Sequence, residues 1–397
     1  MQKLLSKLQV NPENRRLYTT VNFAFLTNGT MVVMLGLLLP YIRSANALTY
    51  TQTGVMFSFH QVGYLLAVLV AGILPFIIGR KKSTLLLCSG AIIGLVLAVF
   101  MQNWLLLVLA FALTGVGRGT LSNTCNVTVA DVSGNRAAAL NLLHSGFAFG
   151  ALVSPFIIFL WGFAVDSSAW KFAALTVAVL LSVVWTLILH SNMPGVTQKK
   201  EDDKSLEFLK RASFWIPAML LFLYLAVESS IVGWFVLYFI DAGLLPRWLT
   251  NFVPTMFWGM MMVGRSSVAA TSSRIHNKNR ALLIMATATA LCFAGMLFSN
   301  SALLSVVFLL GVGLSLAGIY PTTMATRRGA TSSVSIGFTI AISSFGSILM
   351  PWIIGAVADW RGLATGIALI LVVLVLMVAV ACVKIIVERT DVTPNSA

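Results

Sequence analysis

Twelve apolar stretches, each near the length of a bilayer crossing, follow one another along this chain and leave it few ways to fold. They lie at about 17–42, 50–78, 83–101, 103–130, 137–161 and 168–189, then at about 214–241, 248–272, 280–298, 301–325, 332–358 and 362–387. A helix rises about 1.5 Å per residue, so about 20 apolar residues cross the hydrocarbon core. Only 10% of the residues are charged and 58% are hydrophobic. Soluble domains carry about 25% charged residues. The sequence predicts an all-α membrane protein with twelve transmembrane helices and excludes a soluble domain.

The charges that remain set the topology. Of the 26 lysines and arginines, Arg43, Lys171, Arg247 and Arg361 fall on one side and Arg118 falls inside a span. The others gather on the opposite side: Lys3, Lys7, Arg15, Arg16, Arg80, Lys81, Lys82, Arg136, Lys199, Lys200, Lys204, Lys210, Arg211, Arg265, Arg274, Lys278, Arg280, Arg327, Arg328, Lys384 and Arg389. Basic loops stay in the cytoplasm, so both termini and the one long hydrophilic connector are expected there, in a cell inner membrane. The formal charge of +14 is topology of this kind, and no nucleic-acid partner is expected. Met1 to Arg16 lacks a short apolar region ending in a cleavage site, so the start is read as a cytoplasmic tail. Cys88, Cys125, Cys292 and Cys382 sit in apolar runs, without metal-type pairing, and read as packing residues.

The connector His190–Arg211 divides the chain into an N-terminal six-helix bundle (1–190), a cytoplasmic linker (191–211) and a C-terminal six-helix bundle (212–397). The bundles repeat. A shift of 196 residues carries Leu113, Gly115, Val116 and Gly117 onto Leu309, Gly311, Val312 and Gly313. The same shift carries Phe149, Gly150, Pro155, Ile157 and Ile158 onto Phe345, Gly346, Pro351, Ile353 and Ile354. Shared glycines and prolines mark places where backbones approach or bend. An even number of spans per repeat makes the two pseudo-repeats parallel, as in a rocking transporter.

Two parallel six-span halves with a central connector resemble the major facilitator superfamily over essentially the whole chain. The segment Gly72-Ile-Leu-Pro-Phe-Ile-Ile-Gly79-Arg-Lys-Lys82 is similar to its Gly-x-x-x-Asp-Arg-x-Gly-Arg-Arg signature, without the aspartate. Gly36-Leu-Leu-Leu-Pro40, Leu140-Asn-Leu-Leu-His-Ser-Gly-Phe147, Glu228-Ser-Ser-Ile-Val-Gly-Trp234, and Phe257-Trp-Gly with Gly264-Arg265 resemble the fucose/galactose/glucose symporter branch. Proton-coupled fucose carriers have acids where this chain has Gly36 and Ser122, so the coupling ion, proton or sodium, stays open. The resemblance implies alternating access to a midplane site between the halves.

Arg118 lies fourteen residues after Trp104, near mid-span. Placing an arginine there costs roughly 2.5–3.5 kcal/mol on the insertion scale, so a functional role is expected, either as a solute contact or as a charge partner of Glu228. The alternative is a structural donor to neighbouring carbonyls. Glu228, at similar depth in the seventh span, reads as an acceptor for sugar hydroxyls, a coupling proton, or both; the alternative is a pairing role only. His144, with Asn141 on the same stripe, is a solute-contact and second coupling candidate. His60, on a stripe with Tyr64 and with Gln61 nearby, is a solute-contact candidate; for both histidines the alternative is a satisfied interhelical hydrogen bond. Asn28, Ser122, Asn126 and Asn141 supply hydroxyl-reading groups. Trp234 and Tyr238 are the favoured aromatic pair for a sugar face, with Tyr64, Phe257, Trp258 and Tyr320 also near the expected path. Arg80, Lys82 and Arg265 are read as cytoplasmic gate or topology residues, and Asp131 and Arg136 as an inner interdomain salt bridge or a solvated loop.

No Ser-His-Asp arrangement, phosphate-cradling loop or metal-type cluster appears, so neither an enzyme nor an ATP-driven pump is expected, nor any cofactor. The expectation is a monomeric secondary transporter taking up a small solute, a sugar or polyol, by ion-coupled symport. An exporter or organic-anion carrier, with Arg118 as anion anchor, and a transporter-like receptor are the alternatives.

Overall fold

Thr49 shows how these spans begin. Its hydroxyl accepts from the Gln52 backbone N–H at 3.1 Å while the Gln52 side chain accepts from the Thr49 N–H at 3.0 Å. This capping box satisfies two donors that a helix start leaves open. Asn103, Asn135 and Asn277 cap three other starts with a side-chain oxygen. The computed structural model describes residues 8–165, 168–195, 206–271, 277–326 and 333–391. Lys3, Lys7, Lys199, Lys200, Lys204, Arg274, His276, Arg327 and Arg328, with the middle of the connector, lie outside the described residues.

The chain forms two compact units, Met1–Gln198 and Lys199–Ala397. In the first, the helices are α1 (Arg15–Ala45), α2 (Tyr50–Val70), α3 (Leu74–Ile78), α4 (Arg80–Phe100), α5 (Trp104–Val132), α6 (Arg136–Ala164) and α7 (Ala169–Leu189). In the second they are α8 (Ala212–Ala242), α9 (Arg247–Thr250), α10 (Val253–Thr271), α11 (Lys278–Phe298), α12 (Ala302–Leu316), α13 (Ile319–Ala325), α14 (Ser333–Arg361) and α15 (Leu363–Asp391). Among the described residues all twelve expected spans are helical, and three are broken. The second span ends at Val70 and restarts at Leu74 with Pro75 in its first turn. The eighth restarts at Val253, and the tenth breaks at Ala317–Gly318. Proline cannot donate within a helix but fits its first turn. Among the described residues, eleven helices are long and apolar enough to cross a membrane.

The repeat detected in the sequence is present in the packing. A Cβ placed on Gly150 of α6 would overlap the Leu26 carbonyl of α1, and one on Gly346 of α14 would overlap the Phe222 carbonyl of α8. Both members of each pair are related by the same 196-residue shift. Only a residue without a side chain lets the first and fifth helices of each unit come this close. In the N-terminal unit the contact is locked by hydroxyls: Thr30 donates to the Gly150 carbonyl at 3.0 Å and Ser154 to the Thr30 carbonyl at 3.1 Å.

A short strap precedes α1. Val10 pairs antiparallel with Ser133 in the turn between α5 and α6. The Ser133 hydroxyl donates to the Leu8 carbonyl at 2.7 Å, and the Gly134 and Asn135 N–H groups donate to the Gln9 and Leu8 carbonyls at 3.2 and 3.3 Å. Leu8 and Val10 are buried.

Candidate functional site

Arg118 is positioned by the contact of α2 with α5. A side chain on Gly115 would collide with the His60 carbonyl, so the glycine lets the two backbones touch and brings His60, Gln61 and Tyr64 alongside the guanidinium. Arg118 Nη1 lies 3.2 Å from Gln61 Oε1 and 3.4 Å from His60 Nε2. Its central carbon lies 4.7 Å from the centroid of the Tyr64 ring, a cation–π distance. His60 Nδ1 is 3.0 Å from Thr114 Oγ1. The sequence offered His60 and Tyr64 on one stripe, with Gln61 nearby, and Arg118 on another helix; the structure groups them and adds Thr114, which the sequence reading missed.

A second group in the same unit joins α1, α5 and α6. Asn28, fully buried, donates from Nδ2 to Ser122 Oγ at 3.1 Å. Asn126 donates to the Ser122 carbonyl at 2.7 Å, which leaves its Oδ1 to accept from His144 Nε2 at 3.2 Å. The Phe25 ring meets the His144 ring edge-on at 5.2 Å. Asn28, Ser122, Asn126 and His144 thus form one network. Asn141 is exposed one turn before Ser145, and its side chain is part of neither group.

In the C-terminal unit, Glu228 on α8 accepts from the Tyr224 hydroxyl at 3.0 Å and lies 3.6 Å from Arg265 Nη2 on α10. Arg265 donates to the Tyr224 oxygen at 3.4 Å. The Tyr224 ring packs 5.6 Å from Tyr320, and the guanidinium lies 5.9 Å from the Trp258 ring centroid. Two expectations change here. Arg265 was assigned to the cytoplasmic gate, but it sits six residues inside α10, about 9 Å from its end, and its long side chain reaches Glu228. Trp234 and Tyr238 were expected to offer a ring face to the solute. Trp234 is instead buried with its N–H donated to the Pro351 carbonyl at 3.2 Å, and Tyr238 is packed against Phe235 and Phe239. Both rings are enclosed, Trp234 at 1% and Tyr238 at 5% exposure, so their faces are given to packing.

The basic end of α4 is tied to α5. Arg80 Nη1 and Asp131 Oδ2 are 2.7 Å apart. Gly79, at φ +84°, turns the chain so that α4 starts beside the end of α5. The sequence offered Asp131 for an interdomain salt bridge or a solvated loop; within its own unit it pairs with Arg80. Arg136 is exposed at the start of α6, beyond the strapped turn, and Lys82 is exposed in the first turn of α4. Among the described residues no three His, Cys, Asp or Glu side chains gather as a metal site. All four cysteines are free thiols.

Residues 21–329 match the Major Facilitator Superfamily. The chain belongs to that superfamily. It is a multi-pass membrane transporter rather than an enzyme. This superfamily member is 25% identical over 356 residues to the glucose/mannose transporter GlcP of Bacillus subtilis, covering 83% of this chain and 85% of that one. It is 24% identical over 369 residues to a glucose/galactose transporter of Brucella abortus, covering 87% and 88%. A bacterial homolog of the human lysosomal transporter Spinster, solved inward-facing and occupied, shares the fold with TM-score 0.73 at 13% identity, over 98% of this chain and all of that one.

Proposed function

We propose that this transporter takes up a small sugar or polyol by ion-coupled symport through alternating access, in a cell inner membrane with both termini in the cytoplasm. The observation that carries the reading is its likeness, over more than four fifths of its length, to proteins named as glucose/mannose and glucose/galactose transporters. The chemistry of the two units supports it. Amides, hydroxyls, imidazoles and one guanidinium in the N-terminal unit can donate to and accept from a polyhydroxylated solute, and Tyr64 and Tyr320 supply ring surface. In the C-terminal unit Glu228 already has a cation beside it, so the groups suit an uncharged cargo better than a dianion. Glu228 is assigned the coupling proton because a carboxylate facing Tyr224 and Arg265 can exchange partners as it is protonated and released. His144 is the second coupling candidate.

The test is uptake of radiolabelled glucose, mannose and galactose by proteoliposomes under an imposed proton or sodium gradient. Accumulation that an ionophore collapses is the expected result. Specific binding without flux would make the chain a receptor. A second reading, an exporter or organic-anion carrier, is favoured by the setting of Arg118, whose contacts with His60, Gln61 and Tyr64 are all to uncharged groups. A guanidinium held this way can anchor a carboxylate. Arg118→Gln separates the two: anion affinity is abolished, whereas sugar binding is weakened but measurable.

A further inference from the structure

The hydrogen-bond directions around His60 are fixed by its neighbours. An arginine has only donors, so the Arg118 N–H, 3.4 Å from His60 Nε2, requires a lone pair on that nitrogen. On the other side of the ring, Thr114 Oγ1 lies 3.0 Å from Nδ1 and 2.7 Å from the Phe111 carbonyl. A carbonyl only accepts, so the single hydroxyl proton of Thr114 is committed to Phe111. Thr114 can therefore only accept from the ring, and Nδ1 must carry the hydrogen. The chain of donors runs from His60 Nδ1 to Thr114 to the Phe111 carbonyl, while Nε2 turns its lone pair to the guanidinium. The opposite tautomer would set ring N–H against arginine N–H and leave the buried Nδ1 without a donor. An imidazolium would create the same clash.

From this we infer that His60 is a positioning residue, held as the Nδ1–H tautomer by Thr114, which with Gln61 fixes the edge of Arg118 and lays its guanidinium over Tyr64. His60 itself is enclosed, with 1% of its surface exposed. It acts on the solute through Arg118, where the sequence had suggested direct contact. The functional half of this inference rests on Arg118 being a solute contact; the tautomer does not.

The experiment is nitrogen NMR of the full chain, labelled at its four histidines and reconstituted in lipid, with His60→Gln used to assign the His60 signals. The expected spectrum has a protonated Nδ1 and a bare Nε2 at neutral pH, and Thr114→Val shifts the population toward the other tautomer. A wild-type His60 protonated at Nε2, or at both nitrogens, overturns the proposal. So does a spectrum that Thr114→Val leaves unchanged. The functional arm uses radiolabelled D-glucose uptake. Gln can place an oxygen where Nε2 stood, whereas Leu cannot. The KM of His60→Leu is expected to exceed that of His60→Gln by about tenfold, with kcat similar in the two. Equal KM values for the two variants would overturn the positioning role. Loss of glucose transport in every form, wild type included, counts against the sugar reading, and the NMR result then decides the tautomer on its own.

Discussion

Arg118 in the N-terminal unit lies against an imidazole, an amide oxygen and a phenol ring, whereas Arg265 in the C-terminal unit faces a carboxylate and a phenol hydroxyl. The same side chain at membrane depth is thus held in two ways. The contacts described for Arg118 orient its charge without cancelling it, while the pair at Arg265 brings opposite charges together. An arginine set on neutral acceptors can still be answered by a ligand's oxygens. A paired one reports on the protonation of its partner, since losing the carboxylate charge leaves the cation to find another acceptor. The contrast suggests a division of labour, with recognition in the first unit and coupling in the second.

The most severe way to break that division is Glu228→Gln. Gradient-driven glucose accumulation is expected to fall at least about 100-fold, a change of about 2.7 kcal/mol. The double variant Glu228→Gln with Arg265→Gln should recover thermal stability, because no cation is left unmatched, yet stay unable to accumulate. Normal uphill uptake by the single variant would remove coupling from this pair. In the first unit Arg118→Gln and Arg118→Lys should each raise the glucose KM about tenfold. Lysine cannot reproduce the planar fork that bridges His60 and Gln61 above a ring. A Lys variant indistinguishable from wild type would show that only the charge matters.

Smaller effects test whether the two units are built alike. Gly150→Ala and Gly346→Ala press a methyl group into equivalent backbone carbonyls, and each should lower stability by about 1–3 kcal/mol, read as paired shifts in melting temperature. A large loss at one position and none at the other would mean that the repeat is not equally tight in both halves. Smallest is Ser133→Ala, which removes one hydrogen bond from the strap and should cost about 1 kcal/mol, with transport otherwise intact.

The spans were legible in the sequence because apolar length is a one-dimensional property, and the repeat because glycine and proline mark contacts that any side chain would spoil. Gly150 and Gly346 illustrate this: their identity under a single shift already encoded the same helix–helix contact. The chemistry was less legible. Arg265 was grouped with the loops by its charge, since nothing in a linear reading says that it reaches Glu228, 37 positions earlier. Trp234 and Tyr238 looked suited to a sugar because aromatic rings serve packing and recognition equally well, and only the enclosing neighbours separate the two. Asp131 was read as part of an interdomain bridge or a solvated loop, and the pair it makes with Arg80, 51 positions earlier, is invisible in the linear order. Pairings across helices depend on rotation and depth, which spacing leaves open.

The strap at Leu8–Val10 has a consequence for biosynthesis. These residues are synthesised before the turn that receives them, Ser133 to Asn135, which is not made until four spans have followed. The strap therefore has to wait, undocked, while more than a hundred residues enter the membrane, and its arrival marks the moment when the fourth span has found its place. A bulky fusion grafted just ahead of Leu8 would interfere at that step, lowering the yield of correctly assembled carrier even where the finished molecule could tolerate the addition.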